Sequence, residues 1–199
     1  MSDLREDIGY MRGLAEQGRK GTIYGGVFLA VAGLVFGFAC LIQWCAIVGW
    51  LPAVSGFVWY LWGAAAVVFA GATVLLSRRI EPRAVKPSAA GAAFGMTWSG
   101  TAVGIAVAFV AVIVVGIVTD TAAAYYAVAP IVFAFYGTAW FVAGGQAKRR
   151  WLYGVAVLSF GCALLLAWLS GPYQVLAMAA ALILTLTVPG IVLMREAGR

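Results

Sequence analysis

No Asp, Glu, Lys or Arg interrupts residues 21–77 or 151–194, and Asp120 alone interrupts 87–147. Each run is too long for a single membrane helix of about 20–25 residues and fits two. Each also carries a reversal signal near its middle: Gly49-Trp50-Leu51-Pro52, Thr119-Asp120-Thr121 and Ser170-Gly171-Pro172. The sequence therefore predicts an all-α integral membrane bundle of six transmembrane helices in three hairpins. The expected spans are approximately 23–47, 55–77, 94–118, 123–146, 151–169 and 173–194. Residues 87–94, rich in small side chains, read either as loop or as an early start of the third helix. Composition points the same way. The chain is 64% hydrophobic and 10% charged, whereas soluble domains average about 45–50% apolar and about 25% charged. Only lipid accepts so apolar an exterior.

Charge sets the expected orientation. All 13 Lys and Arg fall in four clusters: residues 3–20, 78–86, 148–150 and 195–199. The three-hairpin reading puts every cluster on one side, and basic loops face the cytoplasm. A multi-pass inner-membrane protein with both termini cytoplasmic is expected. No cleaved signal peptide is expected, because the first 20 residues are mixed in charge and the apolar stretch that follows is full span length. Trp44, Trp50, Phe57, Trp59, Tyr125, Tyr126, Trp168 and Tyr173 mark the outer helix ends. Tyr24, Trp98, Trp140, Trp151 and Tyr153 mark the inner ends, as interfacial aromatic rings do.

Residues 1–20 form the first expected unit, a short cytoplasmic amphipathic helix; residues 21–199 form the second. Leu4, Ile8, Met11 and Ala15 recur at helical spacing and give one apolar face. Asp3 with Glu6 resembles a capping box, and acids precede bases as the helix dipole favours. The face reads as an interfacial helix lying along the leaflet, as a docking surface for a soluble cytoplasmic partner, or as a short coiled-coil seam. The opening Met1-Ser2-Asp3-Leu4-Arg5-Glu6-Asp7-Ile8, then Tyr10-Met11-Arg12, then a glycine-flanked span, resembles the start of some small uncharacterised bacterial inner-membrane proteins. The resemblance covers about the first 40 residues. It implies that membrane setting, no activity and no functional residue.

Between helices in lipid, close contact depends on small side chains. Gly33 and Gly37 supply such a spacing in the first helix, and Gly63, Val67 and Gly71 share a face of the second. The third helix carries two stripes, Gly91-Gly95-Ser99 and Gly100-Gly104-Ala108. They read as intramolecular packing or, more sharply, as a homodimer seam of Gly91, Gly95, Ser99, Gly100 and Gly104. Pro130, two turns into the fourth helix, and Pro189, late in the sixth, predict kinks, with Thr185 and Thr187 placed to satisfy freed carbonyls.

The chemistry is sparse. The chain has no histidine, so a histidine-ligated haem or zinc and a Ser–His pair are excluded. Cys40, Cys45 and Cys162 read as small packing residues. No carboxylate pair lies within a span, no metal or cofactor site is expected, and Asp120 reads as the cap of a turn rather than a cation ligand. Without intramembrane ionisable groups, proton-coupled antiport is disfavoured. Gln43, Tyr136, Thr138, Gln146 and Gln174 read as interhelical hydrogen-bonding groups. The cluster Trp44, Trp50, Trp59, Tyr60 and Trp62 reads as interface anchoring or as a pocket for a flat or cationic ligand. The basic rim suits anionic lipid head groups and no nucleic-acid reader module is present. The expected function is non-enzymatic: a membrane subunit or regulator working through a soluble or membrane protein partner and lipid. The alternative is a facilitator or transporter of a small neutral or lipophilic solute. An enzyme would have to draw its acid or base from Asp120, Glu81 or other loop groups.

Overall fold

The computed structural model describes residues 2–52, 54–80 and 89–197, with the backbone course alone for residues 2–24, 80, 89, 90, 122 and 197. Its elements are α1 (Ser2–Ile47), α2 (Phe57–Ile80), α3 (Ala89–Val118), a 3-10 turn (Ala122–Ala127), α4 (Val128–Ala147), α5 (Arg150–Trp168), α6 (Gly171–Leu182), a π turn (Ile183–Thr187) and α7 (Val188–Ala197). Among the described residues there is no strand. Six stretches of the described residues are long and apolar enough to cross a membrane: Gly25–Ile47, Phe57–Arg79, Gly91–Val118, Ala123–Ala147, Arg150–Trp168 and Gly171–Glu196. The third helix starts at Ala89, so the small residues of 89–94 belong to helix rather than loop. α1 is uninterrupted, and the boundary drawn at residue 20 falls inside it. The side chains of Leu4, Ile8, Met11 and Ala15 lie outside the described residues.

Helix ends obey backbone chemistry that the turn signals only partly convey. α1 and α3 each close with the paired bonds of a Schellman motif. At α1, Trp50 N–H donates to Cys45 O at 2.8 Å and Gly49 N–H to Ala46 O at 3.2 Å. At α3, Thr121 N–H donates to Gly116 O at 3.0 Å and Asp120 N–H to Ile117 O at 3.4 Å. α4 ends similarly, with Arg149 N–H donating to Gly144 O at 3.2 Å. A left-handed residue stands one or two positions beyond each of these three helices: Gly49 (φ 82°), Asp120 (φ 49°) and Lys148 (φ 53°). Only the first is free of the Cβ penalty. Lys148→Gly is thus expected to raise the thermal midpoint in detergent, by a gain of about 0.5–1 kcal/mol. Gly49→Ala should lower it comparably; equal midpoints for both variants and wild type would refute this.

α1 is the central strut. Its glycines meet the last span in descending register. A Cβ at Gly26 would lie 2.6 Å from Gly190 O, one at Gly33 2.8 Å from Thr187 N, and one at Gly37 3.6 Å from Ala179 O. The two helices therefore run antiparallel, nearly backbone to backbone. α5 runs antiparallel to α4, with Phe160 over Gly137 and Tyr153 over Gly144. α3 lies along α4 through Phe135 on Gly104 and Trp98 on Trp140. Arg149, before α5, pairs with Glu196 near the end of α7. This half-exposed pair brings those ends together and contributes little energy.

Burial is uneven. Within their spans, α4 and α6–α7 are each 44% buried, whereas α2 and α3 are 6% buried. α2 packs chiefly on α1. The core is therefore α1, α4 and the last span, with α5 covering α4. Pro130 does not kink α4. The 3-10 turn takes up the preceding residues, α4 begins at Val128, and Pro130 sits in its first turn, where a missing N–H has no helical acceptor to lose.

Candidate functional site

The five aromatic residues grouped from the sequence do not close around one space. Trp44 and Trp50 form an edge-to-face pair with centroids 5.2 Å apart. Trp62 turns toward α1, where it donates its indole N–H to Gln43 Oε1 at 2.8 Å and stacks on Phe36 at 6.2 Å and 17°. Tyr60 faces outward and is 74% exposed. Trp59, also exposed, lines an open recess with Gln43, Ala46, Ile47, Val54, Phe57 and Val58. Trp59 and Trp62 thus flank Gln43, while Trp44, Trp50 and Tyr60 stand apart from it.

A second constellation was not legible as such. Trp140, assigned above to the inner aromatic belt, is fully buried. Its neighbours are Trp98, at 4.9 Å and 76°, and beyond it Tyr136 and Phe94. Its indole N–H donates to Thr185 O at 2.8 Å. That carbonyl is the one an α-helical N–H at position 189 would bond, and Pro189 has none. The proline freed an acceptor inside an apolar bundle, and an indole from another helix meets it. The preceding residues form the π turn Ile183–Thr187, the usual local response where a proline disturbs the ladder. Thr185 Oγ1 donates back to Ala181 O at 2.8 Å. Among the described residues, Thr187 Oγ1, pressed against Gly33, is buried without a partner, as are Trp98 Nε1 and Trp151 Nε1. Pro189 was the sequence signal; that Trp140 would answer it depends on the tertiary fold.

Other polar groups tie helix ends. Gln174, 5% exposed, donates to Tyr126 O and Leu166 O, both at 2.9 Å. Gln146 Nε2 donates to Thr97 Oγ1 at 3.2 Å, joining α4 to α3. Thr138 bonds only back to its own helix, at Ala134 O. Asp120 is an exposed turn residue. Cys40 is buried, and Cys40, Cys45 and Cys162 are free thiols. Among the described residues, no group of three or more His, Cys, Asp or Glu could hold a metal ion.

The small-residue stripes fare differently. Gly33 and Gly37 are packed against the last span, and Gly104 is covered by Phe135 of α4. Gly95, Ser99 and Gly100 are exposed, and a Cβ at Gly95 or Gly100 would meet nothing within 4 Å. Gly91 is half-buried. On α2, Gly63 and Gly71 also face open space. α3 therefore leaves small residues exposed at Gly95, Ser99 and Gly100, whereas Gly33 and Gly37 of α1 face the core. No family model, no curated protein and no solved structure matches this chain.

Proposed function

We propose that this is a multi-pass inner-membrane protein, three hairpins with both termini cytoplasmic, that works without catalysis as a membrane subunit or regulator. The observation that carries the reading is the near-bare state of α2 and α3. Two full-length spans each bury 6% of their span within the chain, far less than the 44% of α4 or the last span. Helices so little covered by the rest of the chain suit a protein whose remaining contacts are made with lipid or another protein. The exposed small residues Gly95, Ser99 and Gly100 allow close approach by a second helix, from a partner or a second copy. The basic clusters favour anionic head groups on the cytoplasmic leaflet.

α1 adds a cytoplasmic element to this reading. At 1.5 Å per residue, residues 2–24 extend the helix about 35 Å past the span that begins at Gly25. A docking face borne on that extension moves rigidly with the central strut. Deleting residues 2–20 is expected to remove specific partner proteins co-purified from native membranes, scored by quantitative mass spectrometry, while leaving the protein monodisperse. Identical partner recovery for the deleted and full-length proteins would refute the proposed role of this segment.

A further inference from the structure

The π turn leaves a second carbonyl without a helical donor. In an α-helix Leu184 O would accept the Val188 N–H, but that N–H donates to Ile183 O. The π alternative, a donor one residue further on, falls at Pro189, which has no N–H. The proline ring offers only C–H groups, which are weak donors. Nearby polar side chains are turned elsewhere. Trp140 meets Thr185 O, Thr185 Oγ1 donates to Ala181 O, and Thr187 Oγ1 faces Gly33. Among the described residues, no side chain donates to Leu184 O.

Position makes this gap costly. A helical carbonyl points along the axis toward the residue four places on, so this oxygen lies between Leu184 and Val188. Those residues are 50% and 44% exposed, which puts the oxygen on the outward face of the last span. Leu184 is the fourteenth of the 26 residues of Gly171–Glu196, at the middle of the hydrocarbon layer. Water is absent at that depth, and phospholipid tails carry no donor. Unpaired backbone is tolerated there only under cover of protein. Such a cover spans the membrane and brings an O–H or N–H to its centre. A second copy of this chain is poorly matched to the task. Among the described residues, the exposed hydroxyls nearest the middle of a span are those of Thr138, sixteenth of 25 residues, and Ser99, ninth of 28. They lie about 4–5 Å and about 8 Å toward the basic end of their spans at 1.5 Å per residue, and Thr138 already donates to Ala134 O. A copy related by an axis along the membrane normal presents both at the wrong depth.

We propose that a transmembrane helix of a partner protein packs on the outward face at Leu184 and Val188, and that a Ser, Thr, Asn, Gln or Trp side chain on it donates a hydrogen bond to Leu184 O. The inference rests on the membrane-subunit reading above and gives the partner a place of contact within the bilayer. Pro189 creates the site: it removes one N–H from the ladder and, through the π turn, withdraws another.

The test places the photoreactive residue p-benzoylphenylalanine at position 184 of the full chain in its native membrane, which changes the side chain and keeps the carbonyl. Irradiation should give an adduct to another membrane protein. Mass spectrometry should map the linked residue to a spanning helix, within one turn of a polar donor. Pro189→Ala lets the turn relax to an α ladder, in which the Val188 N–H returns to Leu184 O and the alanine N–H serves Thr185 O. Adduct yield should then fall about threefold to tenfold, the range one net hydrogen bond supports. Val188→Trp, which crowds the oxygen from outside and leaves the proline in place, should lower it too. Lipid adducts alone, or adducts to a second copy, would overturn the proposal, and so would a yield unchanged by either substitution. If Pro189→Ala fails to reach the membrane, the mapped adduct and Val188→Trp still decide. Deleting residues 2–20 reads the cytoplasmic segment and the adduct reads the bilayer face, so either result can fail while the other stands.

Discussion

Trp140→Phe is expected to destabilise the protein by about 1–3 kcal/mol, and to do so far less when Pro189 is also replaced by alanine. Phenylalanine keeps a ring in the fully buried position between Trp98 and the last span but removes the only donor that Trp140 offers Thr185 O. In the wild type that carbonyl has lost its usual α-helical donor to the proline. Without the indole it loses a donor inside hydrocarbon, where no water replaces it. Alanine at 189 restores a backbone N–H one helical turn from the orphaned oxygen, so the two substitutions should compensate by about 1 kcal/mol or more. The remaining cost of Trp140→Phe in the Pro189→Ala background is the smaller ring alone. Reversible unfolding in mixed micelles, measured for all four members of the cycle, decides the matter. An equal cost for Trp140→Phe in both backgrounds would show that the indole does not substitute for the missing N–H.

The expected membrane architecture and the structure agree where lipid imposes the constraint. Six spans follow from apolar length, because hydrocarbon forbids unpaired backbone along the way. The breaks at residues 49, 120 and 148 coincide with charge, glycine or turn-forming side chains. Boundaries were least legible where composition is neutral. The alanines and glycine of 89–93 suit loop and helix alike, and the stretch before Val128 gave no sign of the 3-10 turn that moves Pro130 into the first turn of α4. The interior was legible only in part. Gln43, Gln146 and Gln174 were recognised as interhelical donors or acceptors because polar groups in lipid must find partners. Trp140 was not, because an indole near a helix end has the same sequence signature whether it faces head groups or the core. The aromatic cluster at the outer end dissolved for a related reason. Residues close in sequence on either side of a tight connection alternate between facing α1, lining the recess and facing outward.

The same ambiguity governs glycine, and it yields the largest contrast expected from single substitutions. Gly33, Gly37, Gly95 and Gly100 look alike in sequence, yet the first two face a neighbouring span while a Cβ at either of the others would reach no atom within 4 Å. The closest approaches to backbone are at Gly26 and Gly190, and sequence spacing did not single out Gly190. A Cβ there would lie 2.6 Å from Gly26 O and 2.7 Å from Ala30 N. Both are backbone atoms of a helix, so no rotamer change relieves the clash and α7 must move away from α1. Gly190→Val is therefore expected to cost more than about 3 kcal/mol and to deplete the folded protein. Gly33→Val should act similarly, since its Cβ would fall 2.8 Å from Thr187 N. Gly95→Ala and Gly100→Ala should leave monomer stability within about 0.5 kcal/mol of wild type or raise it slightly through helix propensity. Fluorescence-detected size-exclusion after graded heating ranks the four variants in one experiment. A Gly190→Val protein as heat-resistant as Gly95→Ala would mean that α1 and the last span are not in backbone contact. Because that contact places Thr187 against Gly33 and orients the π turn toward Trp140, such a result would also remove the basis for the Trp140–Pro189 coupling.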